Sequence, residues 1–198
     1  MNHIEKYLTE VTEVTKAIDK NEILKTVKIL KRIKKNKGRI FFLGVGGSAA
    51  NASHAVNDFR KIAGIESYTP TDNVSELTAR INDNGWDSSL RDWLDTSNIT
   101  ENDCLFVLSV GGGSEEKKVS VNLINAIKYI KEKNAAILGI VGRDGGYTKK
   151  NSDACILIPV INDKSVTTHT EAFQAVVCHL LVSHPEIQSY EMKWESTK

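Results

Sequence analysis

At 198 residues, with a formal net charge of +1 and 40% hydrophobic residues, the chain has the size and balance of one ordinary soluble domain with a full core. Near-neutrality gives no global electrostatic case for nucleic acid or an anionic membrane surface. The three cysteines, Cys104, Cys155 and Cys178, lie in apolar surroundings without CxxC spacing, which argues for reduced, buried thiols over disulfides or a zinc ribbon.

Two amphipathic helices are expected first. Ile4, Leu8, Val11 and Val14 recur at three- and four-residue steps, as do Ile23, Val27, Leu30 and Ile33. Glu5, Glu10 and Asp19 interrupt any continuous apolar segment, so a secretory signal is not expected, nothing later is long enough to span a bilayer, and cytoplasm is the default. The basic run LKRIKKNKGR closes the second helix and reads as a solvated helix end, since cations favour a helix C-terminus. The short apolar runs RIFFLG, CLFVLSV, AAILGIVG and ACILIPV then alternate with helical patterns, and a weaker strand candidate spans Ile65 to Thr69. Nearly continuous apolar strands separated by helices imply a parallel sheet covered on both faces: a three-layer αβα, doubly wound domain. The two leading helices have no strands of their own to cover, so packing against a partner subunit is their expected use. The expected division is a single domain with oligomerisation helices over 1–36, the core over 37–187 and a tail over 188–198.

In such a sheet the ligand lies outside the carboxyl ends of the strands. The loops there are GVGGS after the first strand, SVGGGSEEKKVS after the third and GRDGG after the fourth. Glycine lets backbone N–H groups approach an anion, serine adds a hydroxyl donor, and the next helix contributes its positive N-terminus. Two serine-bearing glycine loops at one end of a sheet suggest a phosphate. Gly44, Gly46 and Ala49 also satisfy G-x-G-x-x-A, the short form of a dinucleotide fingerprint. That fingerprint wants an acidic residue at the end of the second strand, whereas Glu66 falls near its start and Asp72 beyond it. No nucleotide cofactor is expected. Ser48 as a plain helix cap is the bland alternative.

GVGGSAANASH, the NDNG of Asn82 to Gly85, the serine-bearing second loop, GRDGG and a C-terminal helix with histidine together resemble the sugar isomerase (SIS) fold, within it the phosphoheptose isomerase branch, over about residues 1 to 187. The resemblance implies a five-stranded parallel sheet. It also implies an aldose–ketose isomerase acting on sedoheptulose 7-phosphate through an enediol, forming the heptose 7-phosphate that feeds heptose biosynthesis. The assembly implied is a homotetramer with active sites between subunits, and some members bind zinc there. Carried over by position, Gly46, Gly47, Ser48, Ser109, Ser114 and Ser120 hold the phosphate, with Lys117 added by this chain's longer loop, and Asp83 holds sugar hydroxyls. The catalytic glutamate corresponds to Asp58, the catalytic histidine to His179 and a glutamine to Glu171; the zinc set is His54, Asp58, Glu171 and His179. Aspartate at 58 shortens the reach by one methylene, and glutamate at 171 restores a longer carboxylate nearby.

The residues themselves agree in part. His54 and Asp58 are one helical turn apart and point from one face. Isomerisation needs a base to lift a proton from carbon beside a carbonyl and an acid to protonate the carbonyl oxygen; Asp58 or Glu171 as base and His179 as acid serve. Blander readings stand beside these. THTEAF fits a capping box with Thr168 at the N-cap and Glu171 three residues on. On one helix Glu171 and His179 lie roughly 12 Å apart along the axis. His54 can be an ordinary helix residue and His179 a satisfied core histidine; His169 stays a candidate, while His184 reads as the end of the helix. The competing functional class is a phosphosugar-binding module of the same fold without turnover.

Overall fold

The computed structural model describes residues 2–193. Five parallel strands, β1 (Ile40–Leu43), β2 (Ser67–Tyr68), β3 (Cys104–Ser109), β4 (Ala136–Val141) and β5 (Ala154–Leu157), form one sheet in the order β2-β1-β3-β4-β5. Each expected strand is present, the weak candidate as the two-residue edge β2. The order reverses between β1 and β3, so their carboxyl ends flank the crevice where a doubly wound sheet takes its ligand.

Alternation along the strands divides the core. Phe42, Phe106 and Leu138 stand in register on the face covered by α2 (Lys20–Lys35), α3 (Gly47–Asp58) and α8 (Val166–Val182). Phe41, Leu105 and Ile137, one residue out of step, face α5 (Ser89–Thr96) and α6 (Val121–Glu132). Period-two alternation with both faces buried is what near-continuous apolar strands require. Among the described residues no helix is long and apolar enough to cross a membrane.

The second leading helix departs from expectation. Val27, Leu30 and Ile33 of α2 lie in the same cluster as Ile156 of β5, each at most 1% exposed, so α2 is part of the core layer. Burying each of them contributes about 1.5–3 kcal/mol. The expectation that it had nothing in its own chain to cover is corrected, because a five-stranded sheet leaves room beside α8 for a helix preceding β1. The first helix, α1 (His3–Ala17), buries Val14 but leaves Ile4 69% and Leu8 60% exposed. At the end of α2, Lys31 pairs with Glu186 and Lys34 Nζ donates to the Ile187 carbonyl at 2.5 Å, so part of this basic end holds the chain after α8.

One buried polar contact ties α1 to α8. His169 Nε2 lies 2.8 Å from Glu10 Oε2, and Tyr7 stacks on the imidazole at 4.6 Å between ring centroids. His169 therefore has a structural partner in Glu10. The hydrogen bond from His169, then that from Asn162, hold the Glu10 carboxyl well below its ordinary 4.5, at about 2. The folded state thus gives up this proton more readily than the unfolded chain, and the stability contribution is complete above pH 4.5 and lost as pH falls towards 2. Denaturant melts between pH 5 and 2 are expected to steepen through Glu10, and E10Q to flatten that part of the profile.

Candidate active site

The β1–α3 turn builds one wall. Gly46 caps α3 with φ +64°, and Gly47 follows it with the Glu171 carboxylate close by: a Cβ there would stand 2.6 Å from that group, which would have to move aside. Helical spacing then puts Ser48, Asn51, His54 and Asp58 towards α8. After Asp58 the helix widens into one π turn, Phe59–Ala63, closed by Gly64; such turns are frequent at functional sites.

His54 and Asp58 meet His179 across the α3–α8 contact. The two imidazole Nε2 atoms are 2.9 Å apart, and Asp58 Oδ2 lies 3.2 Å from one and 3.3 Å from the other. Asn57 Nδ2 donates to the second carboxylate oxygen, Oδ1, at 3.0 Å. The Asp58 side chain is 9% exposed while the two imidazoles are half open at 51% and 57%, so a buried carboxyl group sits beneath two accessible rings. Two Nε2 atoms at this distance cannot both carry a proton along the line between them. One proton shared with the carboxylate, or one cation held by all three, resolves the contact. The cluster opens on a groove of about 610 Å³ whose walls include Lys61, Ile62, Leu180 and Met192. Ser189 and Tyr190 donate backbone N–H groups to the Ile62 carbonyl, which lays the chain after α8 along the groove. Sequence reading missed this wall, since nothing in QSYEMK marks a docking segment.

Glu171 stands apart from the cluster. Its carboxylate rests against Gly47, so the three-residue group of His54, Asp58 and His179 does not include it within one chain. The alternative reading of THTEAF as a capping box does not hold. Helix α8 begins at Val166 after N-cap Ser165, and Thr168 Oγ1 donates to the Ser165 carbonyl at 3.0 Å; the 3₁₀ turn Asp163–Ser165 starts the helix earlier than Thr168.

Around the second loop, Ser109 Oγ accepts from Gly112 N at 3.0 Å, and Ser114 Oγ accepts from Lys117 N at 3.2 Å beside an antiparallel bridge between Ser114 and Val119. The extra residues thus close as a small hairpin that leaves Lys117 exposed. Ser120 precedes α6 with φ +52° and makes no side-chain cap bond. The GRDGG segment braces this loop: the Gly112 carbonyl accepts from Thr148 N at 2.9 Å and from Thr148 Oγ1 at 2.8 Å. A Cβ on Gly112 would meet the Gly145 carbonyl at 2.0 Å. Asp83 lies exposed near the end of α4 (Val74–Asn84) and accepts from its neighbour Asn82; it makes no hydrogen bond to the cluster. The cysteines are free and buried as expected, and burial pushes the Cys178 thiol up to about 12.

A family model described as the SIS domain matches residues 6–142. The chain belongs to the SIS domain family. Among its SIS relatives, the phosphoheptose isomerase of Rhodospirillum rubrum is 30% identical over 152 residues, which cover 74% of this chain and 72% of that one. The lincomycin biosynthesis protein LmbN of Streptomyces lincolnensis is 32% identical over 158 residues, 74% of this chain, and the match spans only 56% of that longer protein. The structure of the phosphoheptose isomerase of Neisseria gonorrhoeae shares the fold with a TM-score of 0.77 at 23% identity, covering 90% of this chain and 95% of that one.

Proposed function

We propose that the chain is an aldose–ketose isomerase that converts sedoheptulose 7-phosphate into D-glycero-D-manno-heptose 7-phosphate through an enediol. The observation that carries the reading is the convergence of two imidazoles and one buried carboxylate on a single point, on the helix whose N-terminus opens at the crevice, in a chain whose relatives include phosphoheptose isomerases. The Gly46–Ser48 loop, with Ser109, Ser114 and Ser120 across the crevice, takes the phosphate. His54 lies roughly 10 Å along α3 from Gly47 at about 1.5 Å per residue, a span that suits a seven-carbon chain stretched from phosphate to carbonyl.

Asp58, held by Asn57 and flanked by both rings, takes the proton from the carbon beside the carbonyl and returns it to the neighbouring carbon. His179 donates to the carbonyl oxygen as the enediol forms and recovers a proton from the hydroxyl of the neighbouring carbon as that oxygen becomes the new carbonyl. His54 keeps Asp58 directed at the reacting carbons, and Glu171 faces the other end of the substrate from its place on Gly47.

The donor set also fits zinc. Separations of 2.9, 3.2 and 3.3 Å approach the edge of a tetrahedron with metal–ligand bonds of about 2 Å, and three protein ligands leave one position open, as catalytic zinc sites do. His54, Asp58 and His179 would hold the ion, and a bound zinc polarises the substrate carbonyl. The exposed Ile4 and Leu8 of α1 support a homo-oligomer.

The test is proton NMR of sedoheptulose 7-phosphate with metal-stripped protein in D2O, repeated after stoichiometric zinc. Deuterium at C1 of the ketose or C2 of the aldose is the expected result, and its response to zinc decides between acid–base and metal-assisted chemistry. Binding of the sugar phosphate without exchange in either sample would assign the chain to the non-catalytic binders of this fold.

A further inference from the structure

Gln174, fully buried on α8, joins the two helices of the site. Its Nε2 donates to Ser48 Oγ at 3.0 Å, and its Oε1 accepts from Asn51 Nδ2 at 2.9 Å. Asn51 Nδ2 also donates to the Glu171 carbonyl at 2.8 Å. This chain of bonds has one permitted polarity. A backbone carbonyl only accepts, so the Asn51 atom facing it is the NH2 group; that group requires Oε1 from Gln174, which turns the Gln174 NH2 towards Ser48. Ser48 Oγ is therefore the acceptor, and its own proton must point elsewhere. Among the described residues nothing accepts it. Ser48 is 1% exposed, and a buried hydroxyl proton without a partner is costly. It lies in the first turn of α3, where the helix N-terminus favours an anion.

We infer that Gln174 is a positioning residue for the substrate phosphate: by donating to Ser48 Oγ it reserves the Ser48 proton for a phosphate oxygen seated on the Gly46–Ser48 loop. The inference rests on the phosphosugar reading above. Gln174 touches neither the phosphate nor the reacting carbons and acts through Ser48 alone. Q174E has the same shape with the opposite polarity. One of its carboxylate oxygens keeps the Asn51 bond, while the other can only accept, so the Ser48 hydroxyl turns to it and is withdrawn from the phosphate.

The experiment measures the Kd of inorganic phosphate, and KM and kcat for sedoheptulose 7-phosphate, in the natural protein, S48A, Q174E and the double variant. S48A is expected to weaken phosphate about tenfold, as loss of one hydrogen bond to a charged group does. Q174E should match it, with the loss falling on KM rather than kcat. Adding Q174E to S48A should then cost less than threefold more. Equal losses from Q174E with and without Ser48 would mean that its charge acts on the phosphate directly and would overturn the inference, as would a loss of kcat and melting temperature without coupling to Ser48. S48A with unchanged phosphate affinity would remove the phosphate reading of the loop and this inference with it. Should Q174E not fold, the uncharged Q174M, which frees the Ser48 hydroxyl to rotate, gives the same comparison: weaker phosphate with Ser48 present and no further loss in S48A.

Discussion

Replacement of His179 by alanine is expected to lower kcat for sedoheptulose 7-phosphate by about 10³-fold, within the 10²–10⁴ that a positioned general acid contributes, while the melting temperature stays within a few degrees. The two halves of the expectation come from one geometry. The His179 ring is 57% exposed, so its loss leaves no cavity in the core, yet its Nε2 stands 2.9 Å from His54 and 3.3 Å from Asp58, where it has no packing task. Removing it also takes one of three ligands from the candidate zinc site, so zinc affinity should fall together with kcat, by at least the 10–100-fold lost when even a supporting residue of a metal site is removed. A kcat in H179A above a tenth of the natural value would place proton donation on another group, and the His54 ring, beside the same carboxylate, would be next to replace.

The legible parts of this molecule are those where one physical signal acts alone. Apolar runs gave the strands, because a parallel sheet buried on both faces has no polar positions to confuse the pattern. The four-residue step from His54 to Asp58 predicted a shared face, and the structure adds His179 to it at hydrogen-bonding distance. Where two signals competed, sequence reading chose wrongly or left the matter open. THTEAF matches a capping box, yet the preceding 3₁₀ turn, with the Asn162 side chain accepting from Lys164 N at 3.1 Å, starts the helix earlier. His169 is buried against a partner, Glu10, that lies 159 residues away, beyond any local pattern. Glu171 was grouped with the cluster through its correspondence to a family glutamine, although it stands roughly 12 Å from His179 along one helix; its place against Gly47 depends on how α8 crosses α3, which spacing on a single helix cannot give. Gln174 carried no sequence signal at all, since an isolated amide in an apolar helix identifies neither partner.

Asp58 should prove sensitive to length as well as to charge. D58N keeps the hydrogen-bonding shape but removes the base and the anionic ligand, and deuterium incorporation is expected to fall about 10³-fold with the α3–α8 contact intact. D58E retains the charge and installs the glutamate that the resemblance implies at this position, yet it should still cost about 10²-fold in kcat. The reason is distance: the shorter side chain already brings Oδ2 to 3.2 and 3.3 Å from the two imidazoles and lets Asn57 hold Oδ1. One more methylene displaces the carboxylate by about 1 Å, a misplacement that costs on the order of 10²-fold in an aligned proton transfer. If D58E instead equals or exceeds the natural protein, the aspartate is a weakened glutamate. If D58E is slow while D58N is slower, the helix ending at Asp58 has been rebuilt around the shorter acid, and the closeness of the two rings to it is the compensation.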